Sequence, residues 1–515
     1  MTQSHEHSPQ GRVVAALSAL ALSLIGVAGV ATPAAAADYG NVDNTKTGSI
    51  IIHKHVQAGS TQSGTADGSS STITSAPVSG VIFTAYKLTD LDLTTALGWA
   101  GVPSSVPVTA CDTPSLAGHT LSGGAASPAT DVDGKATISL TAPGAVGAYL
   151  VCETTSPSNV VDKAQPFVVT IPYSYNEGWL YSVNVYPKNG LVSVAKTVAA
   201  QVGLGLGSTA SFPVTTDVPK IAANANFQYY WVQDAMDARL TGATVASVKV
   251  LSTGADVLSS YYTVSTSGTN VVSVQFNTAG LTWLSTFGPA KIVTTFTGVV
   301  ASLGNGIIND TAYLGTKATV ESVPVTPASP PGNPSGSSLV VSSGQVTQNW
   351  GDLKLTKVDA GNRLIGLPGA KFQVWAAADP YAATCTKATT GGPISVGGTV
   401  DFTTVAGGAF NIAGLFVSDS VNATKDALKR CYVLVETEAP AGFVTPSPIG
   451  DFNKTAVEVG IGAVNAKEIT NTRISGVVLP MTGSNGIVAL TVAGVALIAV
   501  GLLLAFLARR RKQTA

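Results

Sequence analysis

Three lysines stand where strand alternation calls for an apolar side chain. Lys54 shares a face with Ile50, Ile52 and Val56, Lys196 with Val192, Val194 and Val198, and Lys357 with Leu353 and Leu355. A buried ammonium is costly and tends to lose its proton, which leaves a neutral amine, the nucleophilic form of lysine. Downstream of Lys357, the run Tyr432-Val-Leu-Val-Glu436 puts Glu436 on the face of Tyr432 and Leu434, so this carboxyl is expected to be as buried as the lysine. An amine and a carboxyl in one dry core either pair as ions or trade a proton. For any single lysine an edge strand that lets the amine snorkel to water is the competing arrangement. Three lysines at matching positions point instead to repeats of one module.

The elements that position these groups are short alternating strands separated by Gly, Pro and Asn turns, with no convincing helical period between the two termini. The expected fold is all-β, with three tandem Ig-like sandwich modules in an elongated rod. Boundaries are placed at 38–190, 191–345 and 346–475, the middle block including a Pro/Ser/Gly-rich linker or extended excursion over 321–345. The 515 residues carry 28 Lys+Arg against 29 Asp+Glu, a formal charge of −1. Such a balance lacks the basic face that a nucleic-acid partner requires.

Both ends carry apolar segments that are not core. Arg12 precedes an apolar stretch over 13–30, followed by Thr32, Pro33 and alanines over 34–37, the pattern of a signal peptide (1–37) cleaved before Ala37 or Asp38. At the other end, 487–508 carries no charge and as a helix is about 33 Å long, enough to cross a bilayer. Arg509, Arg510, Arg511 and Lys512 then hold the tail in the cytoplasm. The region 476–515 opens with Leu479, Pro480, Met481, Thr482 and Gly483; this LPxTG sequence, the helix and the basic tail together resemble the sortase sorting signal of Gram-positive bacteria. The resemblance implies that a sortase cysteine attacks the Thr482 carbonyl and that an amine resolves the thioester.

In an exported chain disulfides persist. Cys111 and Cys152 fall in the first block, Cys385 and Cys431 in the last, so pairing within each block is favoured among three connectivities. No CxxC spacing occurs, and a metal site is not expected.

The stretch from Tyr432 through Glu436, Pro440 and Gly442 to Phe443, with Glu468-Ile-Thr-Asn471 beyond it, resembles the CnaB-type modules of sortase-assembled pilins, whose "E-box" reads Y-x-L-x-E-T-x-A-P-x-G-[YF]. The resemblance implies an isopeptide bond between Lys357 and Asn471, with Glu436 protonated, donating to the Asn471 carbonyl, and ammonia leaving. In the middle block the run from Tyr229 to Asp234 and Gly242 resembles a variant in which Asp replaces Glu, making Asp234 the proton donor for Lys196. The acceptor departs from the usual N-x-A pattern by one residue; Asn309 is taken over Asn305, which sits in a turn-like G-N-G. The first block has Lys54 and a degenerate E-box at Glu153, but Asn184 falls on the face opposite Trp179, Tyr181, Val183 and Val185. With no inward Asn evident, no isopeptide bond is expected there.

The same strand, from Trp179 to Val183, Val185, Tyr186, Pro187 and Lys188, resembles the pilin motif W-x₃-V-x-V-Y-P-K. Lys188 is expected to point to solvent and, by the resemblance, to attack the Thr482 thioester of another subunit. The implied function is the major structural subunit of covalently polymerised, wall-anchored fimbriae that support adhesion. The implied partners are identical subunits, a class C pilin sortase, a housekeeping sortase, peptidoglycan, a tip adhesin and a host receptor. A monomeric wall-anchored adhesin with a crosslinked stalk is the alternative. No cofactor is implied, and the self-reaction is single-turnover rather than enzymatic. Asp131-Val-Asp133-Gly134 echoes a calcium loop but reads more simply as a hairpin turn, and His53 and His55 are expected to be exposed.

Overall fold

Alternation carries through into paired sheets. The computed structural model describes residues 42–57, 67–176, 178–268, 270–422, 424–444, 450–462, 464–473 and 484–511. The signal peptide and the pentapeptide 479–483 lie outside them. Of the described residues, 45% are in strands and 12% in helices.

In the first block the strand Gly48–His53 runs parallel to Ser182–Val185 and antiparallel to Lys135–Leu140. A sheet of four strands (Ala125–Ala126, Ile82–Lys87, Gly147–Thr155 and Phe167–Ile171) faces it. Ile50, Ile52, Phe83, Ile138, Val169 and Val183 are buried between the two, each worth about 1.5–3 kcal/mol of apolar burial. A disulfide joins Cys111 to Cys152 across a separation of 41 residues. It closes a smaller cluster around Leu88, Leu93 and Leu150.

The middle block packs a four-stranded sheet (Val194–Lys196, Thr209–Val218, Ala290–Val300, Leu240–Val250) against a five-stranded one built around Asn226–Ala235 and Ala312–Thr319. The Pro/Ser/Gly-rich segment takes the form of an extended excursion that covers the second sheet. Trp231 Nε1 donates to Ala328 O at 2.8 Å, and Gln233 Nε2 donates to Pro331 O at 2.9 Å.

The last block does not begin after a loose linker. Its first strand, Val346–Asp359, pairs at its start with Ile307–Asp310 of the middle block and at its end with Val464–Asn471. Trp350 and Phe416 belong to the apolar core of the middle block, so one strand serves both. The opposing sheet holds Lys371–Ala377, Lys429–Glu438 and Lys454–Gly460, and a second disulfide joins Cys385 to Cys431. The helix Ser484–Arg511 contains a 24-residue apolar span, Ile487–Arg510, none of it buried.

Glycines set the two clearest lysine positions. Gly134 and Gly408 both have φ of +73°, and a Cβ on either would come within 2.2 Å of the Lys54 carbonyl and 2.0 Å of the Lys357 carbonyl, respectively. Gly134 closes a turn in which the Asp131 carboxylate accepts from the backbone N–H groups of Asp133 and Lys135. That carboxylate is thereby used by its own hairpin.

Candidate functional site

Each of the three lysines lies in a dry cluster. In the last block Lys357 and Asn471 come from adjacent parallel strands in which Lys357 is opposite Ile469 and Asp359 is opposite Asn471, so Asn471 shares the inward face two residues further on. Glu436 reaches in from the facing sheet. Lys357 Nζ donates to Glu436 Oε2 at 2.9 Å and to Asn471 Oδ1 at 2.7 Å, while Asn471 Nδ2 donates to Glu436 Oε1 at 2.9 Å. The ring of Phe372 lies 5.3 Å from the amine. Burial pushes the Lys357 amine below the ordinary lysine range, against the opposing pull of Glu436. Glu436 thus bridges the amine and the amide nitrogen, rather than the amide carbonyl as expected.

The middle block brings Lys196 and Asp234 together but not Asn309. Lys196 Nζ is bonded to Asp234 Oδ2 and lies 3.0 Å from Asp310 Oδ2, with all three side chains closed to solvent. Asn309 is exposed, because along Ile307–Asp310 the inward positions are Ile308 and Asp310. Asn305 is also elsewhere, accepting from Arg239 and from the backbone of Ile307. The acceptor assignment is therefore corrected: the inward residue is Asp310, which also meets the N-x-A spacing to Ala312 that Asn309 misses.

The first block also has an inward asparagine. Lys54 Nζ donates to Glu153 Oε2 at 2.9 Å, and Asn189 Nδ2 donates to Glu153 Oε1 at 2.9 Å. Asn189 is 1% exposed, and its Oδ1 has no hydrogen-bond partner. Desolvation pushes Lys54 from near 10.5 down to about 8, although Glu153 pulls the other way. The odd-numbered inward row of Val183 and Val185 continues past Pro187 to Asn189, so alternation carried four residues further would have found it.

Lys188 departs from expectation as well. It pairs with His55 at the start of the strand Lys188–Leu191, and alternation against Asn189 turns it to the outer face. Its amine is nonetheless shielded from solvent and makes no hydrogen bond among the described residues, and desolvation lowers its proton affinity. Neighbouring His53 stacks on Tyr186 and contacts Asn184 at 2.9 Å, and His55 is buried with Nδ1 at 2.7 Å from Ser75 O. Neither histidine is the exposed strand residue expected.

Comparison with known proteins places this geometry. Residues 45–190 match the N-terminal D1 domain of Gram-positive pilin subunits, and 474–514 match the LPXTG cell wall anchor motif. The chain is 41% identical over 529 residues to fimbrial subunit type 2 of Actinomyces naeslundii, covering 98% of this chain and 97% of that protein. It belongs to the Gram-positive fimbrial subunits. Fimbrial subunit type 1 of Actinomyces viscosus is 30% identical, over 97% of both chains. In three dimensions the subunit resembles the full-length major pilin SpaD from Corynebacterium diphtheriae (25% identity, TM-score 0.64, 85% of this chain and 99% of that one). It also resembles the fimbrial protein FimP from Actinomyces oris (25% identity, TM-score 0.53, 84% and 99%). As a pilin with a C-terminal anchor motif and apolar helix, it is a major subunit of fimbriae anchored to the cell wall.

Proposed function

We propose that this pilin is the repeating unit of a covalent fibre in which Thr482 of one copy is joined to Lys188 of the next. A class C pilin sortase cleaves the Thr482–Gly483 bond and holds the Thr482 acyl group as a thioester. Lys188 Nζ then attacks, the cysteine thiolate leaves, and an amide remains. The observation that carries this reading is the Lys188 amine itself. It has no ion pair or hydrogen bond among the described residues and sits in a desolvated setting that raises its neutral fraction. Docking of the acylated sortase has to uncover it. A housekeeping sortase passes the finished fibre to peptidoglycan, and a tip adhesin presents it to a host receptor.

Lys188 at the end of the first block and Thr482 beyond the last make the contact heterologous and non-closing, which builds a filament. Boiled denaturing gels of surface extracts should show a high-mass ladder in wild type and none in Lys188→Ala. A single wild-type band would overturn the polymer and leave a monomeric wall-anchored adhesin.

Within each subunit, the geometry supports amides from Lys357 to Asn471 and from Lys54 to Asn189. In the first of these, Nζ attacks the Asn471 amide carbon, and Glu436 takes the amine proton and delivers it to the departing nitrogen, which leaves as ammonia. Glu153 is placed to do the same for Asn189. Each bond makes the mature chain lighter by one ammonia, which intact mass will count.

A further inference from the structure

Resting on this crosslinking reading, we infer that Lys196 is joined to Asp310, a carboxyl rather than a carboxamide, in an amide formed with loss of water. Neither Asn305 nor Asn309 turns toward the middle block's lysine. What the block has is an amine between two carboxyls, each of them closed to solvent.

The two carboxyls are not equivalent. Asp234 Oδ2 accepts a hydrogen bond from the amine, as the proton partner should. Asp310 Oδ2 is 3.0 Å from the same nitrogen, and its carboxyl also lies against that of Asp234. The amine thus touches both carboxyls, with its short hydrogen bond going to Asp234. The topology agrees. Lys196 lies on the opening strand of its block, Asp234 on the facing sheet, and Asp310 on a strand late in the block, the order of Lys357, Glu436 and Asn471.

Charge gives the reason for reaction. One ammonium and two carboxylates would leave a net negative charge in a site lined by Phe212, whose ring is 4.8 Å from the amine. Burial first, and then the Asp234 charge, hold the Asp310 carboxyl well above the usual carboxylate range. In its acid form Asp310 is an electrophile. Asp234 takes one proton from the Lys196 ammonium and keeps it, and the neutral Nζ attacks Cγ; a second proton passes from nitrogen by way of Asp234 to the departing hydroxyl, the C–N bond forms, and the C–OH bond breaks. Water leaves, no electron is transferred, and Asp234 ends neutral. In bulk water, ionisation of the released amine and acid favours amide hydrolysis. In this site ionisation is penalised, so the balance lies toward the amide.

The test is peptide mapping of the secreted mature protein by mass spectrometry. Trypsin should leave the Lys196 peptide joined to the one carrying Asp310, at the mass of the two less one water. Asn309→Ala and Asn305→Ala should retain the link, and Asp310→Ala should abolish it. Asp310→Asn should fold and give a linked product identical in mass to wild type, because loss of ammonia from the amide yields the same bond. A free Lys196 peptide in wild type, a link that has lost ammonia, or a link to the Asp234 peptide would each overturn the inference. The Lys357–Asn471 peptide in the same digest separates the two levels. If it is joined and Lys196 is free, only this inference fails. If neither is joined, the crosslinking reading falls with it.

Discussion

Removing the Lys357–Asn471 amide should cost far more than the hydrogen bonds it replaces. The bond closes a loop with a sequence separation of 114 residues. In the chain-entropy argument a loop of that size stabilises by about 5 kcal/mol, and the disulfide that already spans 46 residues inside it lowers this only to about 4, because the dependence is logarithmic. Loss of a buried hydrogen-bond partner alone would cost about 1–3 kcal/mol. Two variants separate the terms. Asn471→Ala removes both the bond and the amide contacts; Glu436→Gln keeps the shape but stops the proton relay. For a module of this length, about 4–5 kcal/mol corresponds to a fall in Tm of roughly 15–25 °C. Calorimetry of the secreted ectodomain should show one transition falling by that amount in both variants, with intact mass heavier by one ammonia beyond the substitution. Equal Tm in Glu436→Gln and wild type, with the ammonia loss absent from both, would refute the crosslink and leave a buried ion pair.

The first block offers a pH test. In Asn189→Ala, Lys54 stays an amine whose folded pKa of about 8 lies below its unfolded value near 10.5. The unfolded chain then binds the extra proton between those values, so the variant should gain stability as pH rises from about 8 to 10.5. Wild type, with no Lys54 amine left to titrate, should lack that rise in denaturant unfolding; an identical rise would argue against the bond. Separately, Cys111→Ser with Cys152→Ser should destabilise the first block by about 4 kcal/mol, read as a lower unfolding midpoint that reductant reproduces in wild type.

How far the sites are legible in sequence follows from strand continuity. Lys357, Glu436 and Asn471 each sit within an unbroken strand, so period-2 alternation places all three inward without reference to the rest of the molecule. Asn189 lies beyond Pro187, where one strand ends and another begins, although the inward phase survives the break. In the middle block, residue type and phase conflict. Asn309 has the expected chemistry but points outward, and the inward Asp310 has the spacing. Phase decides, because Ile308 cannot be buried unless Asp310 is buried too. The shielding of Lys188 was not legible, since it depends on how that strand packs beside His55–Val56 rather than on its own alternation. Nor was the strand shared by the middle and last blocks, because Val346–Asp359 changes partners halfway along with no change in composition.

The proposed bonds, by their placement along the chain, would have a mechanical consequence. Tension in a fibre linked through Lys188 and Thr482 enters at one residue and leaves at the other, so most of the first block lies off the load path. With the proposed bonds the path would run from Lys188 to Lys196, cross to Asp310, follow the chain to Lys357, cross to Asn471 and exit at Thr482. The chain between each joined pair bears no load while the amides hold. Asn471→Ala should therefore release a defined length when the ectodomain is pulled between Lys188 and its C-terminus. The freed loop, with a separation of 114 residues of which 46 stay locked by the disulfide, should extend by roughly 230 Å at about 3.4 Å per residue. With the disulfide reduced, the release should grow to roughly 390 Å, less the folded span in either case. Wild type should show neither step, and Asn189→Ala should behave as wild type because its bond is not loaded. If single-molecule traces of wild type show the same steps as Asn471→Ala, the covalent bypass does not exist and the last block resists force by its sheets alone.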